Sequence, residues 1–365
     1  VSISKPFPSF IIREVHTDDL PALLNLAQTP GMFSLPSQPD RMKDRIRQAT
    51  QSFRGRVEGL SRSKYLFVAE ELATGKIVAT STISGQHGTE ESPHFYFKVG
   101  TENRFSSAIQ TGFIHGTLTL MSQTDGPTEL GGLVVDEDYR GHVEKVGRQV
   151  FFSRLLYLYL HPKRFKQDLL TELLPPLNKK ANSPLWEAVG RRFTNLDYWE
   201  ADELSSQNKD FIYDLFPQGK IYTTFLPADA RNAIGRVSKN TEPVLHLMKR
   251  IGFRYENEID PFDGGPHLRA KVSDVAPLNH VKVGQIRPAR GDIQNPQSGL
   301  ITPGRFQQGS LEEFKAIHVE GEWRDKEFFV NDACDFKKIQ KELKLEEQDS
   351  VVYIPYFVPE SKKST

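Results

Sequence analysis

Residues able to grip a phosphate stand closest together between 140 and 148, in Arg140-Gly-His-Val-Glu-Lys145-Val-Gly147-Arg148. They follow an apolar stretch, Thr128-Glu-Leu-Gly-Gly-Leu-Val-Val135, and a polar turn, Asp136-Glu-Asp-Tyr-Arg140. A long apolar segment from about Glu144 to Leu160 comes next, ended by Pro162. A strand that feeds a glycine-bearing loop at a helix N-terminus presents unpaired N–H groups and the positive end of the helix dipole, which suits a pyrophosphate. Arg140, Lys145 and Arg148 add charge to such a grip. The plainer reading is a solvated turn ahead of a helix. A second segment, Asn240-Thr-Glu-Pro-Val-Leu-His-Leu-Met-Lys-Arg-Ile-Gly252-Phe253-Arg-Tyr255, reads as an amphipathic helix with basic residues in its last turn, a glycine stop and a returning strand. A looser echo lies at Ser183-Pro-Leu-Trp-Glu-Ala-Val-Gly190-Arg-Arg-Phe193. Two such units raise a partial duplication, although matches this short also arise by chance.

Other chemistries find less support. The ten histidines are scattered, with no His-x-x-x-His pair or cysteine-containing cluster, so no metal site is expected. No Gly-x-Ser-x-Gly elbow, Walker loop or Rossmann fingerprint is present. Cys334 is the single cysteine. It opens a peripheral helix in Asn331-Asp-Ala-Cys-Asp-Phe and lacks the base and electropositive surroundings that a nucleophilic thiolate needs.

The elements that must position these residues follow from periodicity. Phe10 to Val15 alternates as a strand, and Thr17 is the expected N-cap of a helix with a stripe at Leu20, Leu23, Leu24 and Ala27. A second helix is expected from Asp40 to about Phe53. Tyr65 to Glu70 and Lys76 to Ile83 form a hairpin across Ala73-Thr-Gly75. Strands are expected near Phe95 to Val99 and Gly116 to Met121, with the rest of 100–127 undetermined. Residues 284–310, rich in Gly, Pro and Gln, read as loop. Phe314 to Val319, Glu327 to Val330 and Ser350 to Phe357 read as strands around a helix from Asp332 to Leu343, and the last residues, Glu360 to Thr365, as frayed.

Composition bounds the function. Of 365 residues, 38% are apolar and 26% charged, as in a globular protein with a real core. The formal net charge is zero, which lacks the basic surplus of a nucleic-acid binder. No apolar run approaches the roughly 20 residues of a membrane span, and the first residues show no signal-peptide core. One cysteine excludes an intrachain disulfide and fits a reducing compartment. A cytoplasmic location is the expectation.

The helix closing in Lys-x-x-Gly-Phe resembles a feature of the GNAT superfamily of acyl-CoA N-acyltransferases. Over most of its length the chain resembles the arginine N-succinyltransferase family. The resemblance rests on Ile12-Arg-Glu-Val, Ser34-Leu-Pro36, Tyr65-Leu-Phe-Val-Ala-Glu, Asp136-Glu-Asp-Tyr-Arg140, Gly190-Arg-Arg-Phe193, Ala201-Asp202, Lys209-Asp-Phe-Ile212, Ile234-Gly-Arg-Val237 and Gly252-Phe-Arg-Tyr255. The unusual run Phe262-Asp-Gly-Gly-Pro266 weighs most.

The resemblance implies an α+β fold with a GNAT-like mixed, mostly antiparallel central sheet flanked by helices. It implies an N-terminal part over 1–165 holding the CoA-binding strand, loop and helix. A second GNAT-like part over 166–275 would hold the substrate and catalytic segments, and 284–365 a small β-rich C-terminal domain.

It further implies transfer of a succinyl group from succinyl-CoA to the α-amine of arginine, without a metal. Leu133 would polarise the thioester through its backbone N–H, with Arg140, Lys145, Gly147 and Arg148 at the pyrophosphate. This loop departs from the family's shorter Arg-x-Glu-Gly-Asn-Gly. Only Glu144 and Gly147 keep register, and Lys145 replaces a glycine where backbone approaches phosphate. Ser238 stands where the family has its proton-donating histidine. A serine hydroxyl does not exchange protons unaided near pH 7, so His267 is the candidate substitute; a surface histidine at a turn is the alternative. Tyr198 and Tyr222 could protonate the departing thiolate, though tyrosines of this kind commonly only fill space. A guanidinium wants planar carboxylates. Glu129, Glu172, Asp197, Asp202 and Asp263 are available, with Glu129, Asp197 and Asp202 preferred. Two other readings stay open: the same chemistry on another acyl-CoA or amine, and a catalytically impaired partner subunit in a homo- or hetero-oligomer with a related chain. No nucleic-acid or membrane partner is expected.

Overall fold

A computed structural model describes residues 8–28, 35–178, 181–205, 208–308, 312–331 and 333–357. Ser34, Asp332 and the terminal segment from Glu360 lie outside these. The strands among the described residues are β1 (Phe10–Glu14), β2 (Lys64–Glu71), β3 (Ile77–Ser84), β4 (His94–Ser106), β5 (Thr111–Gln123) and β6 (Thr128–Val135). They continue with β7 (Asp168–Glu172), β8 (Ile221–Tyr222), β9 (Arg254–Ile259), β10 (Pro266–Lys271) and β11 (Lys282–Pro288). β12 (Gln297–Pro303), β13 (Lys315–Arg324), β14 (Glu327–Val330) and β15 (Ser350–Pro355) complete the set. Contacts divide the chain into two compact units, neither continuous in sequence. The first is Val1–Gly85, Leu130–Lys166 and Val275–Thr365; the second is Gln86–Glu129 and Gln167–Asp274.

In the first unit the strand order is β12-β15-β11-β14-β13-β1-β2-β3-β6, and β12 also pairs with β13. That extra pairing closes β11 to β15 into a ring, which removes their free edges. Ile286, Ile301, Ile317, Val319, Phe328, Val351 and Tyr353 pack together with Ile339 and Leu343 of the helix Ala333–Leu343. The C-terminal segment joins the unit through β13, whose Ile317 pairs antiparallel with Ile11 of β1. The helix Val146–Leu160 is buried on nearly every side, as its unbroken apolar sequence requires. Phe53, Tyr65, Phe67, Tyr157 and Phe314 meet around it, most of them edge-to-face.

In the second unit Thr128 and Glu129 pair parallel with Leu169 and Leu170 of β7, and the order continues β7-β10-β9-β4-β5-β8. Besides this pairing only β11 with β14 is parallel among the registers described, so the sheets are mixed and mostly antiparallel. Trp186 lies flat on Phe262, with ring centroids 4.9 Å apart and 7° between planes, in a core that includes Phe97, Tyr198, Phe216 and Ile259.

Three expectations need correction. The undetermined stretch after residue 100 belongs to one long hairpin, β4–β5, paired from His94 opposite Gln123 to Ser106 opposite Thr111. Its outer half is exposed along both strands, so no apolar alternation marks it. Residues 284–310 are not loop throughout, because β11 and β12 fall there. Cross-strand partners distant in sequence, not local apolar pattern, hold them. Thr17 is not an N-cap: a 3-10 turn occupies Thr17–Asp19 and the α-helix is Leu20–Leu26. The Asp19 carboxylate accepts the His16 N–H at 2.7 Å and two Arg13 N–H bonds at 2.8 Å.

Candidate functional site

The expected donor loop lies in the first unit. Within β6, Gly132 has φ +60°, and a Cβ there would meet the Thr82 hydroxyl at 2.5 Å, so the position requires glycine. Leu133 follows, half-buried. After the 3-10 turn Glu137–Tyr139, Lys145 adopts a left-handed conformation (φ 51°, ψ 54°) and caps the helix Val146–Leu160. Its carbonyl accepts the Arg148 and Gln149 N–H groups, which leaves Val146 and Gly147 as the first-turn donors the helix cannot use. A Cβ on Gly147 would press within 3.1 Å of Val135, so glycine lets the helix tip sit close against the strand end.

The side chains here have varied surroundings. Lys145 is exposed. Arg140 reaches Val135 O at 3.4 Å and Glu137 at 3.5 Å. Arg148 lies over the rings of Phe357 and Tyr356, 4.7 and 5.9 Å from their centroids. Glu144 accepts the Ser9 N–H and hydroxyl, which ties the loop to the start of the chain.

The second unit gathers titratable groups that the sequence scatters. β7 and β10 pair so that His267 stands directly opposite Glu172. His267 is fully buried on its strand rather than exposed at a turn. Its Nε2 lies 3.5 Å from Glu172 Oε1. His94, at the start of β4, is 1% exposed and stacks on His267 with centroids 5.2 Å apart. His87 meets His94 edge-on at 4.6 Å, and its Nδ1 is 3.0 Å from Glu129 Oε2.

The run Phe262-Asp-Gly-Gly-Pro266 turns the chain into β10. Gly264 has φ +83°, and a Cβ on Gly265 would fall 2.2 Å from Leu173 O, so both glycines are required by the turn. The turn fixes two carboxylates. Asp260 Oδ1 accepts the Phe262 and Asp263 N–H groups at 2.7 and 3.1 Å, and Asp263 Oδ1 accepts the Gly265 N–H at 2.7 Å.

Crowding by protein dominates the electrostatics of this cluster. Burial raises Glu172 well above the usual carboxylate range, and the charges of Glu129 and Asp260 add to it. Asp263 is raised in the same way by burial and by Asp260. Asp202 shows surface to solvent, yet surrounding protein pushes it up to about 6, with Asp260 contributing. Lys209 opposes these shifts at Glu172, Asp202 and Asp260. Burial moves His94 down, and takes His267 down to about 3. Both imidazoles are therefore neutral near pH 7, and His267 is a poor proton acceptor.

The remaining expected residues are distributed unevenly. Glu129 and Asp202 join the cluster. Ser238 borders it: its N–H donates to Leu174 O at 2.9 Å, just past Glu172, while its hydroxyl pairs with Thr241 at 2.8 Å. Asp197 makes a capping box with Glu200 at the start of the helix Tyr198–Ser205. Tyr222 lies on β8, where Arg104 donates to its hydroxyl at 3.2 Å and the His115 ring is near, so it is not brought to the cluster. Missed altogether were His87, His94 and Asp260. Asp260 sits two places before the Phe262-Asp-Gly-Gly run already singled out and was within reach of that signal; the two histidines carry no local one.

Known proteins give this architecture a class. The solved arginine/ornithine succinyltransferase subunit AI from Pseudomonas aeruginosa superposes with a TM-score of 0.79 at 26% identity, covering 96% of this chain and all of that one. The arginine N-succinyltransferase subunit beta of Pseudomonas aeruginosa is 35% identical over 268 residues, 73% of this chain and 77% of the relative. The subunit alpha from the same organism is 31% identical over 320 residues, 86% and 91% of the two chains. The strand–loop–helix and the mixed sheet are thus those of a CoA-dependent acyltransferase. A family model described as arginine N-succinyltransferase beta subunit matches residues 10–277, and the chain belongs to the arginine N-succinyltransferase family. No helix among the described residues is long and apolar enough to cross a membrane.

Proposed function

We propose that this protein moves a succinyl group from succinyl-CoA to the α-amine of arginine or a closely related cationic amine, in the cytosol. The observation that carries the reading is the surplus of carboxylates in the second unit. Asp202, Asp260 and Asp263, with Glu129 and Glu172 adding to the field, surround little positive charge beyond Lys209, and several are pushed toward their neutral forms. An incoming guanidinium at Asp202 supplies part of the missing charge and offers paired N–H donors to a planar acceptor.

In this reading Asp202, Asp260 and Asp263 hold the acceptor. The α-ammonium must lose a proton before it attacks the thioester carbon. Asp260 and Asp263 are adjacent like charges, so the pair keeps one proton site of raised affinity, which suits general-base work near neutral pH. This replaces the proton role first considered for His267 and Ser238. The Leu133 N–H stabilises the oxyanion, Gly147 and Lys145 receive the pyrophosphate, and the CoA thiolate leaves. A thiol-release assay with succinyl-CoA and arginine tests this directly. Asp202→Asn should raise the KM for arginine about 10- to 100-fold, as the loss of one charged hydrogen bond implies. No thiol release with arginine or its shorter cationic homologues would end the reading.

A second reading adds a related partner chain. Phe105, Ile109, Phe113 and Ile114 are exposed together at the tip of the β4–β5 hairpin, a surface of the kind that contacts between protein chains cover. The relatives named subunit alpha and subunit beta favour such an assembly. Light scattering of the purified chain, alone and with a co-expressed relative, measures it.

A further inference from the structure

The histidines of the second unit have a geometry that proton transfer to a carboxylate pair leaves unused. Glu172 Oε1 is faced by His267 Nε2 at 3.5 Å, His94 Nδ1 at 3.9 Å and His87 Nε2 at 4.0 Å. Four-coordinate zinc binds nitrogen and oxygen at about 2.0–2.1 Å, which sets its ligand atoms roughly 3.3 Å apart. The observed separations exceed that by about 0.2 Å for His267 and about 0.6–0.7 Å for His94 and His87, and one ligand atom each of His87, His94 and Glu172 lies within 4.8 Å of the others. The ring nitrogens of His267, fully buried, have no hydrogen-bond partner among the described residues, and its Nε2 is aimed at the carboxylate. Buried polar groups of this kind ordinarily have one.

We infer that His87, His94 and Glu172, with His267 against the same carboxylate oxygen, form a binding site for a divalent first-row transition metal ion, with zinc as the best-fitting occupant.

Two further features agree. His87 directs Nδ1 at Glu129 Oε2, 3.0 Å away, and Nε2 inward. A carboxylate behind a histidine is the arrangement that fixes the tautomer of metal-ligating imidazoles. The ligands are also pre-positioned by the fold, since His267 and Glu172 are cross-strand partners and the His94 ring at the start of β4 stacks on His267, so no ligand search is needed on binding. Imidazoles with one carboxylate suit zinc, cobalt, nickel or iron; magnesium and calcium prefer sites built wholly of oxygen. Glu172 and Glu129 also belong to the carboxylate field of the acyl-transfer reading, but the imidazoles have no part in holding the amine or taking its proton, and metal uptake is measured apart from turnover.

Cobalt(II) titrated into metal-free full-length protein is the test, because its visible absorption reports coordination geometry without any enzymatic readout. The expected result is the intense spectrum of four-coordinate cobalt saturating at one equivalent, displaced stoichiometrically by zinc. Glu129→Gln should weaken binding about 10- to 100-fold by loosening His87. His87→Gln, at a partly exposed position that tolerates the change, should weaken it further with an unchanged circular dichroism spectrum. His115→Gln, on the β4–β5 hairpin, should leave it intact. A weak six-coordinate spectrum, sub-stoichiometric uptake, or equal affinity in wild type and His87→Gln would overturn the assignment.

Discussion

Replacing Gly265 by alanine tests how tightly the carboxylate-bearing turn is held to the sheet. The added methyl would sit 2.2 Å from Leu173 O, 3.0 Å from Asp263 Oδ1 and 3.1 Å from Pro175 Cδ. Relief requires about 1 Å of movement, because ordinary contact begins well above 3 Å. The nearest obstacle is backbone, so the turn itself must lift from β7. Lifting it weakens the Leu173 N–H bond to Pro266 O, now 3.2 Å, and the Gly265 N–H bond to the Asp263 carboxylate, now 2.7 Å. The first is worth about 0.5–1.5 kcal/mol and the second about 1.5–3 kcal/mol; residual crowding adds about 1–3 kcal/mol. Because these overlap, the net loss should be about 3–5 kcal/mol, a large part of the roughly 5–15 kcal/mol by which domains are stable.

Urea unfolding followed by tryptophan fluorescence measures the loss, and Trp186, stacked on Phe262 of the same turn, reports the displacement directly. Gly219→Ala is the control, since nothing lies within 4 Å of its added methyl, and it should change stability by no more than about 0.5 kcal/mol. A Gly265→Ala protein as stable as this control, with Trp186 emission unmoved, would show that close packing of the turn does not hold Asp263 in place.

Other outcomes follow from the same geometry. Asp263→Asn should lower kcat by about 10²- to 10⁴-fold while Ser238→Ala changes it by no more than about threefold, since the Ser238 hydroxyl is already paired with Thr241; thiol-release kinetics that rank the two the other way return the proton role to Ser238. His161, against the Tyr157 ring at 4.4 Å, is held down to about 4 by burial and then by Arg164. As pH falls from 6.5 toward 4 the unfolded chain takes up a proton that the native state refuses, so stability falls across that window by up to about 1.4 kcal/mol per pH unit. Urea midpoints for wild type and His161→Gln should therefore converge on acidification, and parallel curves would refute the assignment. Lys145→Gly relieves a left-handed residue worth about 1–2 kcal/mol and adds about 0.5–1 kcal/mol of unfolded-state entropy. Its melting temperature should stay level or rise slightly, while calorimetry shows weaker binding of succinyl-CoA from the lost ammonium.

Much of the local architecture was legible from residue order. The hairpin of β2 and β3, the buried helix Val146–Leu160, and the helix Glu242–Ile251 ending at Gly252 with φ 119° each carry their own periodicity and stop signal. So does the strand, loop and helix around residues 128–160, because a glycine-bearing turn ahead of a helix is a local object. The Phe262-Asp-Gly-Gly run, weighted for its rarity, owes its glycines to a backbone contact with Leu173 that only the folded chain reveals.

What tertiary structure decided was which distant segments meet. β1 finds β13 some three hundred residues along the chain, and β11 to β15 close into a ring although 284–310 carry little apolar pattern of their own. Sequence spacing scatters the histidines, whereas strand register sets His267 opposite Glu172 and ring packing holds His94 and His87 beside them. Burial, too, is a property of the assembled sheet. It keeps His267 a neutral imidazole and raises Asp263 and Asp202 above the usual carboxylate range. Residue type determined what each group was able to do, and the desolvation and neighbouring charge imposed by the fold determined which of those things it does.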